Sequence, residues 1–293
     1  MEPDYVKLKE IKPVLAGYIR EAQVLLAKAP VPDDVAVHDI RVLMKKARAV
    51  MKLIAGQTGM DSYERNYGAY REVGRILSSW RETSVYRKIL KDLRKKKPGV
   101  FEALGNNREL ELLLQKAETP SSPAPETRKD INTVNSILNK AGFRIRFQSF
   151  DNLDARQLLN ELDNTYKLVT DKYLTARNNM KPENIHEFRK KAKDFLYQLY
   201  FFRPLNPQTV KSVEKRIDAI AQGLGKYNDL AQMIKTLGYK YTGQGTSPAL
   251  DDLIVIIRQE QDGYLSKVWP LAYKVFRPGQ KLVSLIGFRI LII

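Results

Sequence analysis

The sequence predicts an all-α protein, and three observations support that fold class. Most of the 293 residues follow the apolar periodicity of amphipathic helices, whereas alternating patterns typical of strands are few. Stretches rich in proline, glycine and other turn-forming residues divide the periodic segments into lengths typical of helices. With 43% hydrophobic and 28% charged residues, the chain has enough apolar side chains to bury a sizeable core.

Five helices are predicted in the first half of the chain, separated by breaks such as APVPDD, AGQTG and Pro98-Gly99. They cover residues 5–28, 38–54, 62–79, 85–97 and 100–117. The stretch TPSSPAPETRKD is rich in proline, serine and threonine, so it is interpreted as a connector. The following residues, 131–150, fit either one helix or a helix followed by a short extended piece.

The second half repeats this layout, with the breaks NMKPEN and FRPLNP and the loop GYKYTGQGTSP. Its predicted helices cover residues 154–178, 186–202, 208–223, 226–237 and 249–273. The two histidines of the protein, His38 and His186, each begin a predicted helix and lie 148 residues apart (186 − 38). This spacing is about half the chain and predicts two duplicated helical domains, residues 1–150 and 151–293.

Composition narrows the classes of partner and chemistry. Lys and Arg number 50 against 33 Asp and Glu, a formal net charge of +17 that favours a polyanion: nucleic acid, anionic lipid or a phosphate-rich molecule or polymer. The absence of cysteine excludes disulfides, thiolate zinc sites and cysteine nucleophiles. The start MEPDYVKLKE is too polar for a secretory signal, and no apolar run reaches the ~18 residues of a membrane span. We therefore expect a cytoplasmic protein whose apolar ending, LVSLIGFRILII, is a buried final segment, with membrane-surface contact as the alternative.

The stretch HDIRVLMKKARAVMKLI, which starts at His38, divides into two faces when it is placed on a helix. Its apolar face consists of Ile40, Leu43, Met44, Ala47, Val50, Met51 and Ile54. Its basic face consists of His38, Arg41, Lys45, Arg48 and Lys52, with Lys46 beside them. No acid interrupts this face, and Arg41 to Lys52 spans roughly 16 Å, which suits an extended anion. A solvated face, or ion pairs with acids of a neighbouring helix, is the alternative.

The stretch HEFRKKAKDFLYQLYFF, which starts at His186, shows the same division. Its apolar face consists of Ile185, Phe188, Ala192, Phe195, Leu199 and Phe202. Its other face consists of His186, Arg189 and Lys193, with Lys190 alongside and Tyr197 and Tyr200 continuing the row. The same arrangement therefore occurs twice, each time with a histidine at the start.

These two stretches resemble the signature helices of the conserved-histidine α-helical domain, CHAD. The family pattern of His-x-x-Arg followed by basic residues is matched in both, and two further stretches fit the family: ILSSWRETSV, through Leu77, Arg81, Glu82 and Val85, and GLGKYNDLAQM, through Leu224, Gly225, Asn228 and Asp229. The resemblance covers nearly the whole chain. Asp194 and Leu196 depart from it, because the family usually carries basic residues there, so the second half is expected to contribute fewer anion contacts.

The resemblance implies two pseudo-symmetric four-helix bundles with a basic groove or pore between them, and binding of inorganic polyphosphate without catalysis or a cofactor. It also implies a location at polyphosphate granules, and sulfate or phosphate ions as further occupants of the groove. The expected polyphosphate-binding residues are His38, Arg41, Lys45, Lys46, Arg48, Lys52, Arg81, His186, Arg189, Lys190, Lys193 and Tyr197.

Two other functions stay open at this point. The net charge alone also fits a nucleic-acid-binding helical protein, although few aromatic residues interleave the basic faces to stack on bases. The second open function is a metal-dependent phosphohydrolase or phosphotransferase that uses His38 and His186, although no Walker loop or dinucleotide fingerprint occurs. Each histidine can contact phosphate, ligate a metal or hydrogen-bond to the backbone as a structural residue.

Overall fold

All regular elements are helices in residues 10–78, 82–104, 125–150, 153–241 and 248–287, which are the residues that the computed structural model describes. They are α1 (Ile11–Ala27), α2 (Asp34–Leu53), α3 (Met60–Ile76), α4 (Glu82–Lys96), α5 (Pro98–Leu104), α6 (Pro125–Phe147), α7 (Ala155–Asn178), α8 (Pro182–Leu199), α9 (Pro207–Tyr241), α10 (Pro248–Phe276) and α11 (Leu282–Leu285). Short 3₁₀ turns follow α2 at Ala55–Gln57 and α8 at Tyr200–Phe202. The predicted all-α fold class is confirmed.

The stretch 131–150, which the sequence left open, is helical through Phe147. The separation of helices 208–223 and 226–237 was wrong, because α9 continues without a break through both. Glycines at the expected break allow close packing instead: a Cβ on Gly223 would lie 2.5 Å from Val268 Cγ2, and one on Gly225 would lie 3.2 Å from an Arg189 guanidinium nitrogen. Of the predicted helix 100–117, residues 105–117 lie outside the described residues.

Both histidine-led helices begin one turn earlier than the sequence predicted. The Asp33 carboxylate caps α2 by accepting a hydrogen bond from the backbone N–H of Ala36 at 2.7 Å. Pro182 occupies the first turn of α8, where its missing N–H has no helical partner to lose. His38 and His186 therefore lie in the second turns of their helices, so neither is positioned as a helix-terminal residue.

The helices pack as two rings of four. Helices α1, α2, α3 and α6 form one closed ring, and α7, α8, α9 and α10 form the other. The rings meet where α2 packs against α8 and α7. A single apolar cluster extends through both rings, and a second, smaller cluster lies where α4 and α5 pack against α9 and α10. The internal duplication, with its boundary at residue 150, stays a prediction.

Burial of the apolar faces of α2 and α8 fixes the orientation of their basic faces. Every residue of both predicted apolar stripes is buried. In the second stripe, the rings of Phe188 and Phe195 both pack against Phe276 of α10. Between the two helices, the buried Gln198 side chain donates a hydrogen bond to the carbonyl oxygen of Ala49 at 3.0 Å.

Near the end of the chain, Leu282, Leu285 and Ile286 are buried, as expected for a packed final segment, and residues 288–293 lie outside the described residues. Within the part of the chain that the structure describes, no helix has both the length and the apolar character that crossing a bilayer requires.

Candidate anion-binding site

Cations from α2 approach cations from α8 at the boundary between the two rings. Partial burial, and then the neighbouring Arg189, lower the pKa of His186, against a smaller rise from Glu187. Lys190 and Lys45 lower that pKa further. Lys45 belongs to α2, so the basic faces of the two helices are close enough to interact electrostatically.

Lys193 gives a second, independent sign of this approach. Burial is the main cause that lowers the pKa of Lys193, and Arg189 and Lys46 add to the effect, whereas Asp218 opposes it. Its Nζ lies 3.4 Å from Asp218 Oδ1 and 5.5 Å from the centre of the Tyr197 ring. Four cations and the imidazole of His186 therefore form one group across the boundary, here called the cationic cluster. They are Lys45, Lys46, His186, Arg189 and Lys193.

The arginine of each His-x-x-Arg pattern is oriented by backbone carbonyls of another part of the chain. Arg189 Nε donates to the carbonyl oxygen of Ala221 at 3.2 Å. Arg41 Nη1 lies 3.4 Å from the Leu77 carbonyl oxygen and 3.5 Å from that of Ser78. These hydrogen bonds hold both guanidinium groups in fixed directions, which favours recognition of a phosphate over a fluctuating contact.

A cavity of about 550 Å³ adjoins the cationic cluster and is lined by Lys46 and Tyr197. Its walls also include the cations Arg203, Lys211 and Lys215, the rings of Tyr18 and Tyr200, and the two acids Glu214 and Asp218. Burial is the main cause that raises the pKa of Tyr18 and of Tyr197 to about 12, so both hydroxyls stay protonated at neutral pH. The cavity therefore combines hydroxyl donors with cations, and its two carboxylates pair with Lys193 and Arg203.

Comparison with known proteins identifies the family of this chain. A sequence model of the CHAD domain matches residues 17–238, which is most of the chain. The protein belongs to the CHAD family. Comparison with curated proteins finds no match. Among solved structures, the fold is similar to the crystal structure of the CHAD domain from the plant Ricinus communis, with a TM-score of 0.51. The two sequences are 16% identical, and the similarity covers 97% of this chain and 93% of that one, so it shows the fold alone.

Not all of the predicted site residues of this CHAD domain are equally available to a ligand. Lys52 Nζ forms an ion pair with Asp194 Oδ2 at 2.6 Å, with 27% and 15% of their side chains exposed. Lys190 pairs with Glu187 one turn away at 3.1 Å. The sequence left open that cations of the basic face form ion pairs with a neighbouring helix. Lys52 does so, because Asp194 belongs to α8.

The remaining predicted residues differ in what surrounds them. Lys46 Nζ lies 5.6 Å from the centre of the Tyr18 ring, in cation–π range. Arg48 Nε is buried and has no hydrogen-bond partner among the described residues. His38 is partly buried in the second turn of α2. Arg81 lies outside the described residues.

Two CHAD-domain residues at the site were missed by sequence reasoning. Tyr18 comes from α1, and Arg203 from the link between α8 and α9, so neither shares a helical stripe with the cations. Arg203 Nε donates to both carboxylate oxygens of Glu214, at 3.0 and 2.7 Å, and the guanidinium lies 4.7 Å from the Tyr200 ring centre. No sequence signal pointed to them, because only the tertiary packing brings them to Lys46.

A metal centre is not evident at this site. In the ranges that the structure describes, no group of three or more His, Asp or Glu side chains is placed to hold a metal ion.

Proposed function

We propose that this protein binds inorganic polyphosphate along the boundary between α2 and α8 and does not catalyse its turnover. Its family is one associated with polyphosphate binding. The observation that carries the proposal is the cationic cluster at the contact between α2 and α8, where Lys45 and Lys46 of α2 lie close enough to His186 and Lys193 of α8 to add to the lowering of their pKa. Like charges that lie close together destabilise a folded protein, and besides Asp218, which pairs with Lys193, a bound anion would offset this repulsion.

Polyphosphate matches this cluster in charge and shape. It is a flexible chain with roughly one negative charge per phosphate, so each neutralised charge releases a condensed counterion, as in other polyanion complexes. Hydrogen bonds between charged groups contribute about 1.5–3 kcal/mol each. Oriented guanidinium groups at Arg41 and Arg189 suit bidentate contacts, whereas Lys45 and Lys46 supply mobile point charges. Binding is therefore expected to be tight at low salt and strongly salt-dependent.

The residues are expected to contribute unequally. Lys45, Lys46 and Arg189 take the central role, because they meet at the helix boundary. Lys52 contributes less, because polyphosphate has to compete with Asp194 for its ammonium group. The adjoining cavity offers Tyr197 as a hydroxyl donor beside the phosphate chain.

The test is a titration of long-chain polyphosphate into the wild type and into a variant with Arg41, Lys45, Arg48 and Arg189 replaced by alanine. The matched control replaces four exposed cations of α9 and α10 and lowers the net charge equally; these are Lys235, Arg258, Lys267 and Lys274. We expect a loss of affinity of more than tenfold in the first variant and a small loss in the control. Equal losses would mean that net charge alone drives binding, and the proposal would fail.

Arg41 and Arg189 also donate hydrogen bonds to backbone carbonyls, so the fourfold alanine variant could misfold. A milder variant controls for this. Lys45→Gln with Lys46→Gln removes two charges of the cluster and leaves both arginines, with their hydrogen bonds to main-chain carbonyls, in place. Its far-ultraviolet circular dichroism and thermal midpoint are expected to match the wild type, with a several-fold loss of polyphosphate affinity.

The absence of catalysis is tested separately. Incubation with polyphosphate and Mg²⁺ or Mn²⁺ should release no orthophosphate above the level of a protein-free control. Release that disappears in His38→Ala or His186→Ala would instead support the phosphohydrolase alternative.

A further inference from the structure

Helix α6 presents a second basic surface, on the opposite side from its buried face. Its buried face consists of Val134, Leu138, Ala141 and Ile145. The surface, here called the α6 stripe, contains four cations and two aromatic rings, all exposed: Arg128, Lys129, Lys140, Phe143, Arg146 and Phe147. From Arg128 to Phe147 it extends about 28 Å at the rise of an α-helix.

The α6 stripe carries no carboxylate to balance its charge. A shallow depression includes Arg128, Lys129 and Lys140, and a groove of about 710 Å³ between α6 and α1 includes Phe143 and Arg146. Among the residues that the structure describes, none that lines either of them is acidic. Among the side chains of α6 that the structure describes, the one acid is Asp130, and it acts electrostatically on Arg75 of α3. Within the described part of the chain, the stripe and the depressions beside it are therefore basic, which favours an anionic partner.

The two rings distinguish this surface from an ordinary solvated one. Phe143 is 66% exposed and Phe147 is 70% exposed, and their ring centres lie 4.7 Å apart. Aromatic rings left this open to water, within a basic surface, are typical of platforms on which nucleic-acid bases stack.

The groove is less suited to a peptide helix. Ile19 and Ile145, on its floor, are 1% and 0% exposed, so they offer almost no aliphatic surface to receive apolar anchors. At the rim, Gln23 Nε2 donates a hydrogen bond to Asn139 Oδ1 at 2.6 Å. The oxygen of the Gln23 amide can still accept a hydrogen bond, and the nitrogen of the Asn139 amide can still donate one. Amide groups of this kind pair with base edges.

We propose that the α6 stripe binds single-stranded nucleic acid. Bases stack on Phe143 and Phe147, and the cations at either end of the stripe contact the phosphates. The stripe lies on the ring formed by α1, α2, α3 and α6, and none of its residues belongs to the cationic cluster. It is a second polyanion site. It differs from the proposed polyphosphate site because its ligand needs flat aromatic groups, such as bases, to stack on the two rings.

The test measures fluorescence anisotropy of labelled oligo-uridine and oligo-thymidine with the full chain. Phe143→Leu with Phe147→Leu keeps the apolar surface and removes both rings. We expect it to weaken binding about tenfold or more, because it removes both stacking platforms and leaves only the cations that contact the phosphates. The matched control, Val24→Ala with Leu168→Ala, alters two other exposed apolar side chains and should leave the affinity unchanged.

Further arms separate this proposal from the polyphosphate proposal and from other occupants. Polyphosphate affinity should be unchanged in the double leucine variant, and oligonucleotide affinity should persist in Lys45→Gln with Lys46→Gln. A duplex should bind more weakly than a single strand, because its bases are already stacked. The proposal is overturned if the wild type binds no oligonucleotide, if ring removal has no effect, or if the rings instead mediate self-association that the leucine variant abolishes in sedimentation.

Discussion

Replacing Asp194 with asparagine is predicted to reduce stability and to increase polyphosphate affinity. Asp194 Oδ2 lies 2.6 Å from Lys52 Nζ, and the two side chains are 15% and 27% exposed. The pair joins α8 to α2, so Asp194 both stabilises the helix boundary and neutralises a cation of the proposed site. An asparagine keeps the size of the side chain and removes only its charge.

The structure gives approximate magnitudes for both effects. A hydrogen bond between charged groups contributes about 1.5–3 kcal/mol, and partial exposure reduces this to about 1–2 kcal/mol for the pair. The free energy of unfolding should fall by that amount, which corresponds to a few degrees in the thermal midpoint. Release of Lys52 adds one cation to the site, so polyphosphate affinity should rise about two- to fivefold at low salt.

The assays are thermal denaturation and polyphosphate titration at several salt concentrations. One more neutralised phosphate should steepen the plot of log affinity against log salt by about 0.7, the value for single-stranded polyanions. Asp163→Asn is the matched control, because it breaks an exposed ion pair with Lys167 on α7 and changes the net charge equally. An affinity that stays constant or falls in Asp194→Asn, with the fold intact, would refute the assignment of Lys52 to the site.

Three further predictions concern Gly223 and Gly225 of α9 and His186 of α8. Gly223→Ala should destabilise the protein by about 1–3 kcal/mol in denaturant unfolding, because its Cβ would meet the stiff, buried Val268; unchanged stability would show that α9 and α10 have room to separate. Gly225→Ala should displace the Arg189 guanidinium and weaken polyphosphate binding several-fold with little change in thermal midpoint, and a loss of stability alone would contradict this. The pKa of His186 is held below the ordinary value of 6.5, so folding stability should decline as the pH falls below that value, where the unfolded chain takes up a proton that the folded chain resists. Bound polyphosphate should raise that pKa, so polyphosphate affinity should increase between neutral and mildly acidic pH. His186→Ala should weaken the pH dependence of both stability and affinity. Identical pH profiles for the variant and the wild type would contradict a contact between His186 and polyphosphate.

The sequence was sufficient for the fold class and for the two faces of α2 and α8, because helical periodicity is a local property. Ile40 and Phe188 are buried as their spacing predicted, and the opposite faces are basic. The same local reasoning wrongly predicted that a helix ends at Gly223. In a sequence, a glycine that allows two helices to pack closely cannot be distinguished from one that ends a helix. The partner of Gly223, Val268, is contributed by a different helix.

The site itself was only partly predictable. The sequence identified the cations but not their partners, because Lys52 and Asp194 are 142 residues apart and meet only through packing. Tyr18 joins the site from α1, and no sequence signal pointed to it, because only packing brings its ring to Lys46. Spacing along one helix shows which residues share a face, and only the tertiary fold shows which faces meet.

The salt dependence of polyphosphate binding in Lys45→Gln with Lys46→Gln tests the central proposal most directly. If both lysines neutralise phosphates at the boundary between α2 and α8, the slope should become shallower by about 1 to 1.5, and affinity should fall most at low salt. Replacing the exposed Lys267 and Lys274 with glutamine should leave the slope unchanged. A slope that is the same in both double variants and the wild type would contradict polyphosphate binding at this boundary.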